Sequence, residues 1–139
     1  MAFSATHAFV PFFLALLLRR FYKFPLVYLY IAAFGGIAPD FDFALVLLFG
    51  EENLHKSLTH YFFIPVLLAL ALPFLQKTWR LPLVFFIFGY MTHLVLDWVF
   101  NLFPANFQVW AMIDGVFVTV YLLYMLFVQR KSLFSEKQA

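Results

Sequence analysis

The sequence predicts an all-α polytopic membrane helix bundle of about five transmembrane segments, the second of them broken at Pro39-Asp40. Three observations carry that reading. Of the 139 residues, 65% are hydrophobic and 12% charged, whereas ordinary soluble domains are ~45–50% apolar and ~25% charged. A soluble fold of that composition would expose large apolar patches that drive association or membrane insertion. Charges and prolines cut the apolar sequence into five stretches, and the basic residues alternate between the connections. Twenty-two Phe and five Gly exclude a disordered or collagen-like chain. A formal charge of +2, spread along the chain, excludes a nucleic-acid surface. With no Cys there is no disulfide framework, thiolate metal site or cysteine nucleophile. Residues 1–139 read as a single integral membrane domain with a tail from about 129 to 139.

The first segment runs from about Phe3 to Leu18 and stops at Arg19-Arg20. Positive charges follow this stretch instead of preceding it, so it does not read as a cleavable signal peptide. The second runs from Phe24 to Phe49 and is interrupted by Gly35-Gly36 and by Pro39-Asp40-Phe41-Asp42, both read as helix-breaking. The third spans Tyr61 to Leu75, the fourth Leu81 to Phe103 and the fifth Val109 to Val128. A crossing needs ~20 apolar residues, which the last two supply comfortably and the first and third only narrowly.

All Lys and Arg except Lys56 fall on alternate connections, after segments one, three and five. The positive-inside rule makes that side cytoplasmic, with the N-terminus outside and the C-terminus inside a cell (inner or plasma) membrane. Trp79 then fits an inner aromatic belt, and Trp98 and Trp110 an outer one.

Ionisable residues inside apolar helices are costly and point to function. Asp40, Asp42, Asp97 and Asp114 lie within or at the ends of apolar segments, with His7, His60 and His93. Pairing with Lys or Arg cannot offset them, because nearly all the cations sit at the opposite face. A divalent cation can, by neutralising carboxylates and binding neutral imidazoles. His93 and Asp97 lie about 20–25 Å along a helix from Arg80, at ~1.5 Å per residue. That puts them with the other candidates in the outer half of the bundle. His93 and Asp97 are four apart and share a helix face, a spacing that also suits a plain helical hydrogen bond. Asp40 and Asp42 can both reach a cation from a turn, or can cap a helix starting at Phe43. His55 and His60 flank the entrance to segment three, with helix capping by either as the lesser alternative. Asp114, before Gly115, is a further candidate that could instead mark a kink.

Thr6-His7, Pro39-Asp40-Phe41-Asp42, His55-Lys-Ser-Leu-Thr59-His60-Tyr61 and Gly89-Tyr90-Met-Thr-His93-Leu-Val-Leu-Asp97 stand in this order. The series resembles the membrane-bound metal-dependent hydrolase family of bacteria and archaea over roughly residues 6–110. That family shows Thr-His, Pro-Asp-x-Asp, His-Arg-Gly-x-Thr-His-Ser and Gly-Tyr-x-x-His-x-x-x-Asp. The resemblance implies a multi-pass metal-dependent hydrolase. This chain departs from it at Phe43, where a His often stands, at Lys56 for Arg and at Tyr61 for Ser.

The expected ligands are His60, His93, Asp97 and Asp40, with His7 next and Asp42 as a further ligand or as support for a ligand imidazole. A Cys-free His/Asp set suits Zn²⁺ best, with Mn²⁺ or Fe²⁺ as alternatives. Such a metal acidifies a water and polarises the bond to be cleaved. His55 or Asp42 would move the proton, and Lys56 would act on an anionic substrate as a point charge. Lys56 and Thr59 would hold a phosphate. A site opening in the outer half of the bilayer favours an amphiphilic or lipid phosphoester or ester. A second function class is a metal-ion transporter or carrier, since intramembrane His and Asp also line ion pathways, and a third is a structural or assembly protein.

Overall fold

Helix breakers set the element boundaries. In the computed structural model, which describes residues 4–50, 59–102 and 107–135, these residues form six α-helices. They are α1 (Ser4–Leu18), α2 (Val27–Ile37), α3 (Asp42–Phe49), α4 (Phe63–Ala71), α5 (Lys77–Leu102) and α6 (Phe107–Ser135). Pro39 and Pro73 each sit in the first turn of a short 3₁₀ segment, Ala38–Phe41 and Leu72–Phe74. A proline fits there because its missing N–H would have no helical acceptor. α3 closes on Gly50, whose φ of 70° is left-handed. α6 continues to Ser135, so the expected tail begins as helix.

By length and composition two helices among the described residues suffice to cross a membrane, Lys77–Leu102 and Gln108–Val128. Three more apolar stretches are shorter: Ala5–Leu18, Val27–Phe41 and Phe63–Phe74. The break in the second segment falls at Ala38–Phe41, as the sequence predicts. The Gly35-Gly36 pair does not break it, because α2 runs through both to Ile37.

Those glycines act through packing instead. Pro11 lacks an N–H, so the His7 carbonyl one turn earlier has no helical donor. Gly36 of α2 lies directly against that carbonyl: a Cβ there would stand 2.1 Å from the oxygen. A Cβ at Gly89 of α5 would stand 1.9 Å from the Ala32 oxygen of α2. Backbones this close are the membrane solution to helix association, where apolar burial from water is unavailable. α1, α2 and α5 therefore meet backbone to backbone.

Beside these contacts sits an apolar core of Phe12, Ala15, Leu29, Ala32 and Phe85, with Tyr28 stacked on Phe85 at 5.2 Å between ring centres. α6 joins the group along α1, where Phe9 and Phe12 meet Tyr121 and Phe13 meets Phe117. Much of α6 is exposed, apart from this seam and the buried Trp110 and Asp114. Trp79 and Trp98 are exposed, in keeping with aromatic belts. Trp110 is not: it is buried against Phe100, ring centres 4.1 Å apart.

Candidate metal centre

Four elements bring the sequence's polar residues to one place. α1 carries His7, the 3₁₀ turn carries Asp40, the turn before α4 carries His60, and α5 carries His93 and Asp97. Tyr90, His93 and Asp97 share one face of α5 because they are three and seven residues apart. The break at Pro39 ends α2 just where Asp40 must turn inward.

His93 is fully buried, and its Nδ1 lies 2.7 Å from the Gly36 carbonyl oxygen. A carbonyl only accepts, so Nδ1 carries the hydrogen and Nε2 presents a lone pair. His60 repeats the pattern. Its Nδ1 faces Asp42 Oδ2 at 3.4 Å and Thr59 Oγ1 at 3.2 Å, which leaves Nε2 as the lone-pair nitrogen. The two Nε2 atoms are 3.2 Å apart. Two lone pairs at that distance repel each other unless a cation lies between them.

The carboxylates complete the figure. Asp40 Oδ1 is 3.7 Å from both Nε2 atoms. Asp97 Oδ2 is 3.6 Å from His60 Nε2 and 3.7 Å from His93 Nε2. Ligand atoms of a tetrahedral zinc, each ~2.0–2.2 Å from the ion, stand roughly 3.3–3.6 Å from one another. The donor set and its spacing fit such an ion. His7 lies on the far side of both acids, its ring stacked on that of His93 at 3.9 Å.

The supports are specific. Asp42 is 2% exposed and stands as the first residue of α3, one place past the N-cap position, which Phe41 holds. Its carboxylate accepts from Thr59 Oγ1 at 2.6 Å and sits behind the His60 ring. The Thr59 hydroxyl is also 2.8 Å from the Pro39 carbonyl oxygen, so it ties the turn to the 3₁₀ segment. Tyr90 donates to the Thr59 carbonyl. Tyr90 and Gly36 are supports that a ligand search by residue type passes over, although the shared face of α5 signals Tyr90.

Asp114 does not join the cluster. Its Oδ1 accepts from the Thr6 N–H at 2.8 Å and from the Thr6 hydroxyl. A carboxylate from α6 thus caps the first turn of α1, one residue before His7. His55 and Lys56 lie outside the described residues. Against His60 and Asp97 opens a cleft of about 210 Å³, completed by Phe62, Leu94, Trp98 and Asn101.

Among the described residues the fold is an all-α bundle with two helices long and apolar enough to cross a membrane and a cluster of buried and part-buried imidazoles and carboxylates. Residues 1–132 match the family described as YdjM inner membrane protein, and the chain belongs to that family. No curated protein and no solved structure matches the chain.

Proposed function

We propose that the chain is a membrane-embedded metal-dependent hydrolase, acting on a phosphoester or ester of an amphiphilic substrate. The observation that carries this reading is the pair of facing imidazole lone pairs, 3.2 Å apart, flanked by one oxygen each from Asp40 and Asp97. His60, His93, Asp40 and Asp97 would hold a divalent cation, Zn²⁺ in first place for this nitrogen–oxygen set and Mn²⁺ or Fe²⁺ next. When bound, such a cation supplies an acidified water at neutral pH and Lewis-acid polarisation of the scissile bond. Asp42 holds the His60 ring with its Nε2 toward the centre, and the Gly36 carbonyl does the same for His93. Lys56 and His55 are assigned the anionic group and the proton. The resemblance to membrane-bound metal-dependent hydrolases supports the reaction class.

The cleft supports the substrate class. Its polar floor of His60, Asp97 and Asn101 meets apolar walls of Phe62, Leu94 and Trp98, and its 210 Å³ admits a headgroup but no long acyl chain. The chains would stay in the bilayer beside the exposed Trp98. A carrier needs polar steps leading away from the site. The apolar cluster of Phe12, Ala15, Leu29, Ala32 and Phe85 favours the hydrolase over that reading. The proposed topology has five crossings with the N-terminus outside and the C-terminus cytoplasmic. Because the chain has no Cys, one cysteine introduced within 51–56 tests it: labelling from the cytoplasmic side alone refutes that topology.

The deciding experiment compares metal content of the detergent-purified wild type with a His93→Ala, Asp97→Ala double variant. Bound zinc in the first and its loss in the second are expected, with hydrolysis of a phosphoester or ester panel by the first alone. Equal metal content in the two proteins removes the reading.

A further inference from the structure

The end of α1 away from the polar centre carries cations that no acid balances. The chain has no Asp or Glu before Asp40. Asp40, Asp42 and Asp97 are gathered at the centre, and Asp114 is on Thr6. Among the described residues neither Arg19 nor Lys23 has a carboxylate partner. Together with Phe24 and Pro25 these two line an open cavity of about 490 Å³. Arg19 follows His7 by twelve residues, about 18 Å along a helix at ~1.5 Å per residue.

The walls of the cavity hold one another in place. The Phe21 and Tyr22 N–H groups both donate to the Leu18 carbonyl, in a tight turn that closes α1 ahead of Lys23. Arg19 Nε donates to the Phe24 carbonyl at 3.0 Å. The Phe24 ring is itself seated against Phe85, ring centres 4.7 Å apart. That bond uses one of the five guanidinium N–H groups, so four remain on a planar fork of fixed direction. The negative end of a helix dipole accounts for a cation at the last turn of α1. It does not account for Lys23, which lies beyond the turn.

Two cations at the wall of an open cavity suit a phosphate, and the flanking residues select its source. Leu17, Leu18, Phe21, Tyr22 and Leu26 border the cations and are all exposed. In a bilayer such apolar side chains lie among the acyl chains while Arg and Lys reach the headgroups, where the anions are lipid phosphates. We propose that Arg19 and Lys23 bind the headgroup phosphate of an anionic phospholipid, at the end of the bundle opposite the polar centre. At that distance from His7 the lipid is a bound partner and not a substrate, and its binding needs no metal.

The test measures lipid held by the full-length detergent-purified chain by native mass spectrometry. The probes are phosphatidylglycerol, phosphatidylcholine with the same acyl chains, and inorganic phosphate. The wild type is expected to retain one phosphatidylglycerol per chain in preference to phosphatidylcholine. The Arg19→Gln, Lys23→Gln double variant should bind it about 25-fold more weakly, at roughly fivefold for each cation near a lipid surface. A control double variant, Arg130→Gln with Lys131→Gln, removes the same charge elsewhere in the chain and should bind as the wild type does. Lys23→Gln alone breaks no hydrogen bond and carries the test, with a loss of roughly fivefold, should the double variant fail to fold. Equal losses in the Arg19/Lys23 and Arg130/Lys131 variants overturn the site. So does a wild type without preference for phosphatidylglycerol, or one that takes up inorganic phosphate in its place.

Discussion

Gly36→Ala gives the sharpest test of how the helices hold the centre. The added Cβ would stand 2.1 Å from the His7 carbonyl oxygen and 2.7 Å from Pro11 Cγ. Restoring an ordinary C···O contact of ~3.3 Å requires α1 and α2 to separate by about 1 Å. His7 rides on α1, and the Gly36 carbonyl anchors His93 at 2.7 Å. A shift of that size exceeds the roughly 0.2 Å tolerance of metal–ligand distances several times over. Overpacking of this kind costs about 1–3 kcal/mol, and a 1 Å misplacement near reacting groups about 100-fold in rate. The matching control is Gly115→Ala on α6, where an added Cβ meets nothing within 4 Å. That change should be neutral or stabilise by up to about 1 kcal/mol through helix propensity. Thermal unfolding in detergent, zinc per chain and phosphoester turnover are measured on all three proteins. Unchanged metal content and turnover in Gly36→Ala, or equal losses in the two variants, would refute the claim that backbone contact sets the ligand geometry.

Asp42→Asn keeps the shape of the side chain but removes the charge behind His60, and should weaken zinc binding about 10–100-fold by competition titration. Asp114→Ala leaves the Thr6 N–H and hydroxyl without their acceptor and should cost ~1–3 kcal/mol in unfolding measurements, while Asp114→Asn, which keeps an acceptor oxygen, should lose less. Tyr90→Phe removes the bond to the Thr59 carbonyl and should cost ~0.5–1.5 kcal/mol without abolishing metal binding, as elemental analysis would show. Chelator treatment should lower the melting temperature and readdition of Zn²⁺ restore it, since an ion bound only by the folded chain adds to its stability.

The helices and the gathering of the polar centre were legible because both follow from rules of the bilayer. Apolar length and charge placement mark α5 and α6, and Pro39 marks the break after α2. The convergence of His7, Asp40, His60, His93 and Asp97 followed from the cost of burying each where no basic residue could pair with it. What stayed hidden depended on contacts between distant parts of the chain. Gly35-Gly36 reads as a breaker from local propensity, yet it serves close approach, which only the position of the His7 carbonyl explains. Asp114 reads as a ligand by residue type, and only α6 lying beside the start of α1 shows its carboxylate on Thr6. The packing of Trp110 on Phe100 was likewise invisible to the aromatic-belt rule, which speaks only of depth. Nor does the sequence show that the Thr59 hydroxyl reaches Asp42, seventeen residues earlier.

Where α1, α2 and α5 touch through bare backbone, no side chain is available to bend when the surrounding lipid thickens or thins. Sliding between those three helices would drive a carbonyl oxygen into a neighbouring Cα. They must therefore tilt as one block, carrying the histidines and aspartates with them. α6 is tied to this block through Asp114 on Thr6 and Trp110 on Phe100, while most of its remaining surface is exposed. The polar centre is in this way shielded from the mechanical state of the membrane around it.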